Sequence, residues 1–284
     1  MLGGMPRPGP VHLPLPRPIG FVLSGGGSLG SVQVGMLRAL LERNITPDLV
    51  VGTSIGAFNG AVLAADPNTA LDKLTRFWNN ASRSDVLPLR GIKPLLHWHS
   101  TRHSLYPNDG ALRGIRSVLS GFARFEDLAL PFGAVAVNLH SGLPELFCDG
   151  PLESALLASS AIPAFFPPVS RDGNLYYDGG LGDNVPIGHA VAMGAQSLVV
   201  LDTTNPVSEL EQPRGIVEIA SYVTEVYSRQ AILRHLHDFA HVPTLYPRSP
   251  ASGTMSTLDL DHTSELLASS YTRTCAYLDS VLVS

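Results

Sequence analysis

Cysteine is nearly absent: Cys148 and Cys275 are the only two in 284 residues. That excludes a disulfide framework and makes a reducing, cytoplasmic setting the simpler expectation. Charge is scarce as well. Only 15% of residues are charged and the net charge is -5, which excludes bulk electrostatic binding of nucleic acid. No apolar run approaches the roughly 18 residues of a membrane span. The opening stretch MLGGMPRPGPVHLPLPRP has too many prolines for a signal-peptide core, so residues 1–18 read as a flexible tail. What is abundant is apolar residues (44%), with 27 glycines and 23 prolines. That composition suits a compact α/β body with busy loops. Neither an internal repeat nor a linker breaks residues 19–284, which read as one domain.

Apolar patterning alternates between strand and helix. IGFVLS is a short buried strand, and SVQVGMLRALLER carries Val34, Leu37, Leu40 and Leu41 at helical spacing. PDLVVGTS and IGAFNGAVLAAD repeat the pair, which implies a parallel sheet with right-handed crossovers. Further helices are expected in NTALDKLTRFWNNA, DGALRGIRSVLS, PLESALLASS, Gly215 to Ala240 and the C-terminal stretch. FGAVAVNL reads as a strand with PELFCDG as its antiparallel neighbour, while NLYYDGG, AQSLVVLDT and VPTLYP complete the strands. Residues Val86 to Asn108 look irregular and long for a connection, as lids often are.

The loop SGGGSLG follows the first strand, and Gly25, Gly27 and Gly30 fit the G-x-G-x-x-G spacing of a dinucleotide site. Such a site needs an acid at the end of the second strand to hold a ribose. That strand ends VVGTSIG instead, and no P-loop lysine follows the last glycine. The replacement is informative. Gly52 to Gly56 is G-x-S-x-G on a strand-to-helix turn, which exposes the Ser54 hydroxyl. Parallel neighbours end on the same sheet edge, so the N–H groups of Gly25, Gly26 and Gly27 can form an oxyanion hole beside Ser54. Each well-placed donor is worth roughly 3 kcal/mol to a tetrahedral intermediate. The nucleophile needs a base, and Asp178 in YYDGGLGDNVPI ends a strand where two glycines clear its surroundings.

GGGSLG, GTSIG and DGG in this order, with ASSAIPAFFPPV before the last, resemble the signature blocks of the patatin-like phospholipases over about Ile19 to Asp202. The resemblance implies a three-layer α/β/α fold with a mainly parallel central sheet, and a Ser54–Asp178 dyad that cleaves acyl esters of lipids. It also implies that Gly25, Gly26 and Gly27 supply the oxyanion N–H groups. Acyl transfer to serine and then to water calls for no metal or organic cofactor. One position departs from the pattern: the family often carries Arg or Lys fifth in the glycine block, where this chain has Leu29. On that ground neutral esters are expected to be cleaved at least as well as phospholipids.

Two rivals stand beside this reading. An α/β-hydrolase triad would draw its base from His235, His237, His241 or His262, although Ser54 lies early for that fold. A non-catalytic lipid- or protein-binding module would have no use for the intact Ser54 and Asp178. His97, His99 and His103 suggest a metal site only weakly, because HWHSTRH has no clear carboxylate partner or helical register; a solvated loop is the expectation there. Leu95, Leu96 and Trp98 suit either a lipid surface with peripheral membrane contact or internal packing. The lipid class, the acyl position and the oligomeric state are not fixed by the sequence.

Overall fold

The computed structural model describes residues 14–82, 93–102, 104–203, 216–250 and 260–281. An eight-stranded mixed sheet runs through them in the order β5-β6-β3-β2-β1-β7-β8, with β4 on the side of β3. The strands are β1 (Ile19–Leu23), β2 (Leu49–Thr53), β3 (Phe132–Asn138), β4 (Pro144–Phe147), β5 (Val169–Arg171), β6 (Asn174–Asp178), β7 (Ser197–Leu201) and β8 (Thr244–Leu245). From β3 to β8 the neighbours are parallel. The arm of β4, β6 and β5 is antiparallel.

The central strands are apolar without interruption because both of their faces are covered. Phe21 and Leu23, Val50, and Val199 and Leu201 face one apolar cluster. Their alternates Val22, Leu49 and Val51, and Leu198 and Val200 face another. The first face is covered by α1 (Gly30–Leu41), α2 (Ile55–Ala65), α3 (Ala70–Asn80), α5 (Asp109–Leu119) and α9 (Thr263–Val281). The second is covered by α7 (Ile187–Ala192) and the end of α8 (Ile216–Asp238), where Ile232 and Leu236 pack. Helix α6 (Leu152–Ser159) lies against β3 and the antiparallel arm. This is the three-layer arrangement expected from the sequence.

The structure differs from expectation at two places. The last residues of the expected flexible tail are packed: Leu15 is buried, the Pro16 carbonyl accepts from the Ser197 hydroxyl at 2.6 Å and the Pro18 carbonyl from the Gln196 N–H at 2.8 Å, which lays this stretch against the start of β7. Residues 93–101 form a helix, α4 (Lys93–Thr101), with no buried residue. Pro94 suits the first turn of a helix, where its missing N–H costs nothing. Leu95, Leu96 and Trp98 are 62%, 59% and 43% exposed. A helix that buries no stripe leaves no periodicity to read, so the helical register was invisible. Residues 83–92 and His103 lie outside the described residues, as does most of the proline-rich tail. Among the described residues no helix is long and apolar enough to cross a membrane.

Candidate active site

The carboxyl ends of β1 and β2 bring two loops side by side. After β2 the chain turns at Ser54, whose backbone takes φ 54° and ψ −123°. A side chain at positive φ costs about 1–3 kcal/mol, and such outliers persist only where the surroundings hold them. Here they do. A Cβ on Gly52 would lie 2.4 Å from the Gly56 carbonyl oxygen, and one on Gly56 would lie 2.3 Å from that of Leu23. The two glycines let α2 start pressed against β1. The Ser54 N–H donates to Ser159 Oγ at 2.9 Å, and that hydroxyl donates to the Val135 carbonyl at 2.6 Å. The Thr53 hydroxyl donates to the Asp183 carbonyl at 2.8 Å. The turn is pinned from both sides, which leaves the Ser54 hydroxyl as the free end.

That hydroxyl meets Asp178, from the end of β6, with Oγ to Oδ2 at 2.6 Å. The other carboxylate oxygen accepts the Gly180 N–H at 2.8 Å. Gly179 permits this approach, since a Cβ there would sit 2.3 Å from the Val135 carbonyl oxygen. Ser54 and Asp178 are both buried. Burial pushes the Asp178 carboxyl up to about 6, against the hydrogen bonds from Ser54 and Gly180 that favour the ionised form. A carboxylate of that basicity is a far better proton acceptor near neutral pH than an ordinary aspartate.

The glycine loop lies against the same turn. Gly25 is close enough that an added Cβ would be 3.3 Å from Ser54 Cβ and 2.4 Å from Asn184 Oδ1. Its N–H, however, donates to the Asn184 carbonyl at 3.1 Å. Gly25 therefore drops out of the expected oxyanion set, because a committed donor cannot serve an incoming oxyanion. Gly26 and Gly27 keep N–H groups that bond no described residue. The loop is fixed by Thr203 beyond β7, whose hydroxyl donates to the Gly25 carbonyl at 2.6 Å. Its N–H donates to Ser24 Oγ at 2.8 Å.

Beneath the loop runs a buried polar chain that sequence reasoning missed. Gln33 Nε2 donates to the Ser24 carbonyl at 2.8 Å and to that of Leu201 at 3.1 Å. Asn59 Nδ2 donates to Gln33 Oε1 at 2.8 Å and to the Gly30 carbonyl at 2.9 Å, and Trp78 Nε1 donates to Asn59 Oδ1 at 3.1 Å. The side-chain amides thus tie both ends of the loop to the helices below. Ser159 was missed too, although it sits inside ASSAIPAFFPPV.

The histidines needed by a triad lie elsewhere. Asp183 Oδ2 is 2.9 Å from His189 Nδ1, and Oδ1 is 3.8 Å from His235 Nδ1. His237 stands beside Asp238, His262 beside Glu265, and His241 near the Phe239 ring. Among the described residues no histidine hydrogen-bonds Ser54 or Asp178. His97 and His99 are two residues apart on α4 and so point to different sides.

Ser54 opens into a cavity of about 780 Å³, lined among others by Gly27, Phe58, Phe77, Phe165 and Phe166. That volume lies in the range that holds one small-molecule ligand.

Residues 21–191 match the family described as patatin-like phospholipase. The chain is 33% identical over 187 residues to patatin-like phospholipase domain-containing protein 7 of Rattus norvegicus, covering 65% of this chain and 13% of that protein. It is 30% identical over 197 residues to lysophospholipase nte1 of Aspergillus terreus, covering 66% of this chain and 12% of that protein. The chain thus spans about an eighth of the length of these curated relatives. The crystal structure of VipD from Legionella pneumophila superimposes with a TM-score of 0.50 at 15% identity, covering 93% of this chain and 67% of that one. That likeness concerns the fold.

Proposed function

The chain belongs to the patatin-like phospholipase family, and from that premise we propose that it is a serine hydrolase of lipid carboxylic esters. The observation that carries the reading is the 2.6 Å contact between Ser54 Oγ and Asp178 Oδ2 at a strained turn. Ser54 attacks the ester carbonyl while Asp178 accepts its proton. The negative charge that develops on the carbonyl oxygen is met by the N–H groups of Gly26 and Gly27. Asp178 then returns the proton to the leaving alkoxide, which departs as the alcohol and leaves an acyl-Ser54 ester. In the second half Asp178 takes a proton from water, the hydroxide attacks the acyl carbon, and as the acyl–Oγ bond breaks Asp178 returns the proton to Ser54 and the fatty acid is released. Residues 19–284 act as one unit in this proposal, since β8 and α9 from the end of the chain complete the sheet and cover α1.

A long-chain organophosphonate is expected to add to one serine, and mass mapping should place the adduct on Ser54. Ser54→Ala should take up no label and hydrolyse no p-nitrophenyl ester. An adduct on another serine, with Ser54→Ala still active, rules the mechanism out.

Contact with aggregated lipid forms the second part of the proposal. Helix α4 presents Leu95, Leu96 and Trp98 outward, and exposed apolar groups gathered on one element are a surface seeking a partner. Changing all three to Ser is expected to lower hydrolysis of vesicle-borne ester about tenfold, with less than a twofold change for p-nitrophenyl butyrate. Equal losses on the two substrates would assign α4 to packing.

A further inference from the structure

Thr203 stands just past the end of β7 and is fully buried. Both its hydroxyl and its N–H face the glycine loop. Thr203 Oγ1 donates to the Gly25 carbonyl at 2.6 Å, and the Thr203 N–H donates to Ser24 Oγ at 2.8 Å. Ser24 Oγ in turn lies 3.0 Å from the Gly25 carbonyl oxygen and 3.3 Å from Thr203 Oγ1. Ser24 has a single proton for those two acceptors, so the short bond to Gly25 is the one from Thr203. The threonine is held from its far side as well. Ser249 Oγ donates to its carbonyl at 2.7 Å, and the Tyr246 hydroxyl donates to Oδ2 of the adjacent Asp202 at 2.5 Å.

What the Gly25 carbonyl accepts decides where the next N–H points. A trans peptide is planar, with its C=O and N–H on opposite sides. The Gly25 carbonyl and the Gly26 N–H belong to one such unit, so an oxygen drawn to Thr203 turns the Gly26 N–H away from it. The bond from the Gly25 N–H to Asn184 does not do this, because it fixes the peptide before Gly25 and not the one after. The peptide that carries the Gly27 N–H is fixed locally: its Gly26 carbonyl accepts the Leu29 N–H at 3.1 Å. Only the unit between Gly25 and Gly26 depends on a group from across the sheet. Gly26 takes φ 154° and ψ 12°, a conformation that side chains forbid. A Cβ there would lie 2.1 Å from Thr203 Oγ1, so a glycine is what lets the hydroxyl come so near. The loop adjoins the reacting turn on its other side. A Cβ on Gly25 would be 3.3 Å from Ser54 Cβ, and Gly27 lines the same cavity as Ser54.

Resting on the serine-hydrolase reading above, we infer that Thr203 is a positioning residue for the reaction: its hydroxyl orients the peptide between Gly25 and Gly26 so that the Gly26 N–H meets the oxyanion. The threonine touches neither the substrate nor the reacting atoms. It acts through a donor that is of use only when charge has developed on the carbonyl oxygen, which is in the tetrahedral species and not in the bound ester. Both half-reactions pass through such a species, so the effect reaches kcat whichever half is slower.

The test removes the hydroxyl and keeps the shape. With p-nitrophenyl octanoate, Thr203→Val is expected to lose about tenfold to thirtyfold in kcat, a part of what loss of a whole oxyanion donor costs. Its KM should stay within about twofold of wild type, as befits an interaction made in the transition state alone. Thr203→Ser retains the donor and should keep kcat within about threefold. A second readout isolates the oxyanion. An octyl trifluoromethyl ketone adds to the serine as a tetrahedral oxyanion, whereas octanol fills the cavity without forming one. Thr203→Val should weaken the ketone by about the factor lost in kcat/KM and leave inhibition by octanol within about twofold. A Thr203→Val enzyme of full rate overturns the inference. So does a serine variant as slow as the valine one, or an equal weakening of ketone and alcohol, since either reduces Thr203 to packing. If circular dichroism shows Thr203→Val unfolded, Thr203→Cys is compared with Thr203→Ser. These differ by one atom, the thiol is the weaker donor, and a cysteine variant as fast as the serine one overturns the inference. Ser54→Ala assayed alongside separates the two readings. Residual turnover there defeats the serine mechanism and this inference with it, whereas a dead Ser54→Ala beside an unimpaired Thr203→Val defeats only the role given to Thr203.

Discussion

Asp178→Asn is expected to lower ester hydrolysis at pH 8 by at least about a hundredfold, the usual range for loss of a general base, and at the same time to make the protein more stable. The two effects have one cause. Burial holds the Asp178 carboxyl at about 6, above its ordinary value of 3.8. A raised value means that the folded state holds the proton more tightly than the unfolded state does. The carboxyl is neutral in both states below pH 3.8 and costs nothing there. As pH rises from 3.8 to about 6 the unfolded chain ionises first and gains, and above 6 the folded protein carries the full cost. At about 1.4 kcal/mol per pH unit that cost approaches about 3 kcal/mol. Asparagine keeps the shape and never ionises. Its melting temperature should therefore exceed that of the wild type at pH 8 by several degrees, with the gap closing as pH falls through 6 towards 4.

The pH dependence of catalysis follows from the same group. Wild-type kcat/KM should rise with pH and level off above about 6, as Asp178 becomes the carboxylate that can accept a proton. Single alanine changes at His235, His237, His241 and His262 should leave that limb in place. If one of them removes it in a folded protein, while Asp178→Asn stays active, the base is a histidine and the dyad is wrong.

Gly56→Ala is expected to destabilise the protein by at least about 3 kcal/mol. Helix propensity alone points the other way, since alanine is favoured over glycine inside a helix by about 1 kcal/mol. Sterics decide the sign. The new Cβ would lie 2.3 Å from the Leu23 carbonyl oxygen and 2.4 Å from that of Ser24, and both are backbone atoms of the strand and loop beneath α2. Neither can rotate away, so α2 must lift off β1, and forced displacements of this kind fall at the upper end of single-substitution effects. Gly188→Ala in α7 is the matched control. Its Cβ would meet only the Phe239 ring, at 3.4 Å, so a change within about 1 kcal/mol is expected. Urea melts of the two variants decide the point, and similar midpoints would show that the close approach at Gly56 is not needed.

Parts of the site that depend on one short stretch of chain could be read from sequence. Gly52 to Gly56 announces a turn because small residues flank a serine between a strand and a helix, and Asp178 stands out because two glycines follow a strand. Gly25 shows where that kind of reading stops. Its fitness as a donor depends on whether another carbonyl takes its N–H, and the carbonyl that does belongs to Asn184, some 160 positions away. Ser159 is likewise an ordinary serine until β3 and the Ser54 turn are placed on either side of it. The polar chain of Gln33, Asn59 and Trp78 looks like three unrelated residues because its order is spatial. Arg76 and Arg113 belong to two helices separated by a segment of the chain, and both come to line the cavity beside Ser54 only after those helices pack. Helix α4 was missed for the opposite reason: Leu95, Leu96 and Trp98 stay exposed on it, and burial is what writes periodicity into a sequence.

The proposed reacting pair also sets a timetable for the chain. Ser54 and Asp178 are 124 residues apart, and Asp178 reaches the serine only because β6 pairs antiparallel with β3. Helices α1 and α2 can form from local contacts within microseconds, whereas pairing between distant strands must first overcome the entropy of closing long loops. During refolding from urea, helical signal should therefore return well before hydrolysis does. A nascent chain that has left the ribosome only as far as Phe147 holds the proposed nucleophile and the glycine loop but not the proposed base. On the proposed mechanism such a chain is expected to stay silent towards lipid until β6 has joined the sheet beside β3.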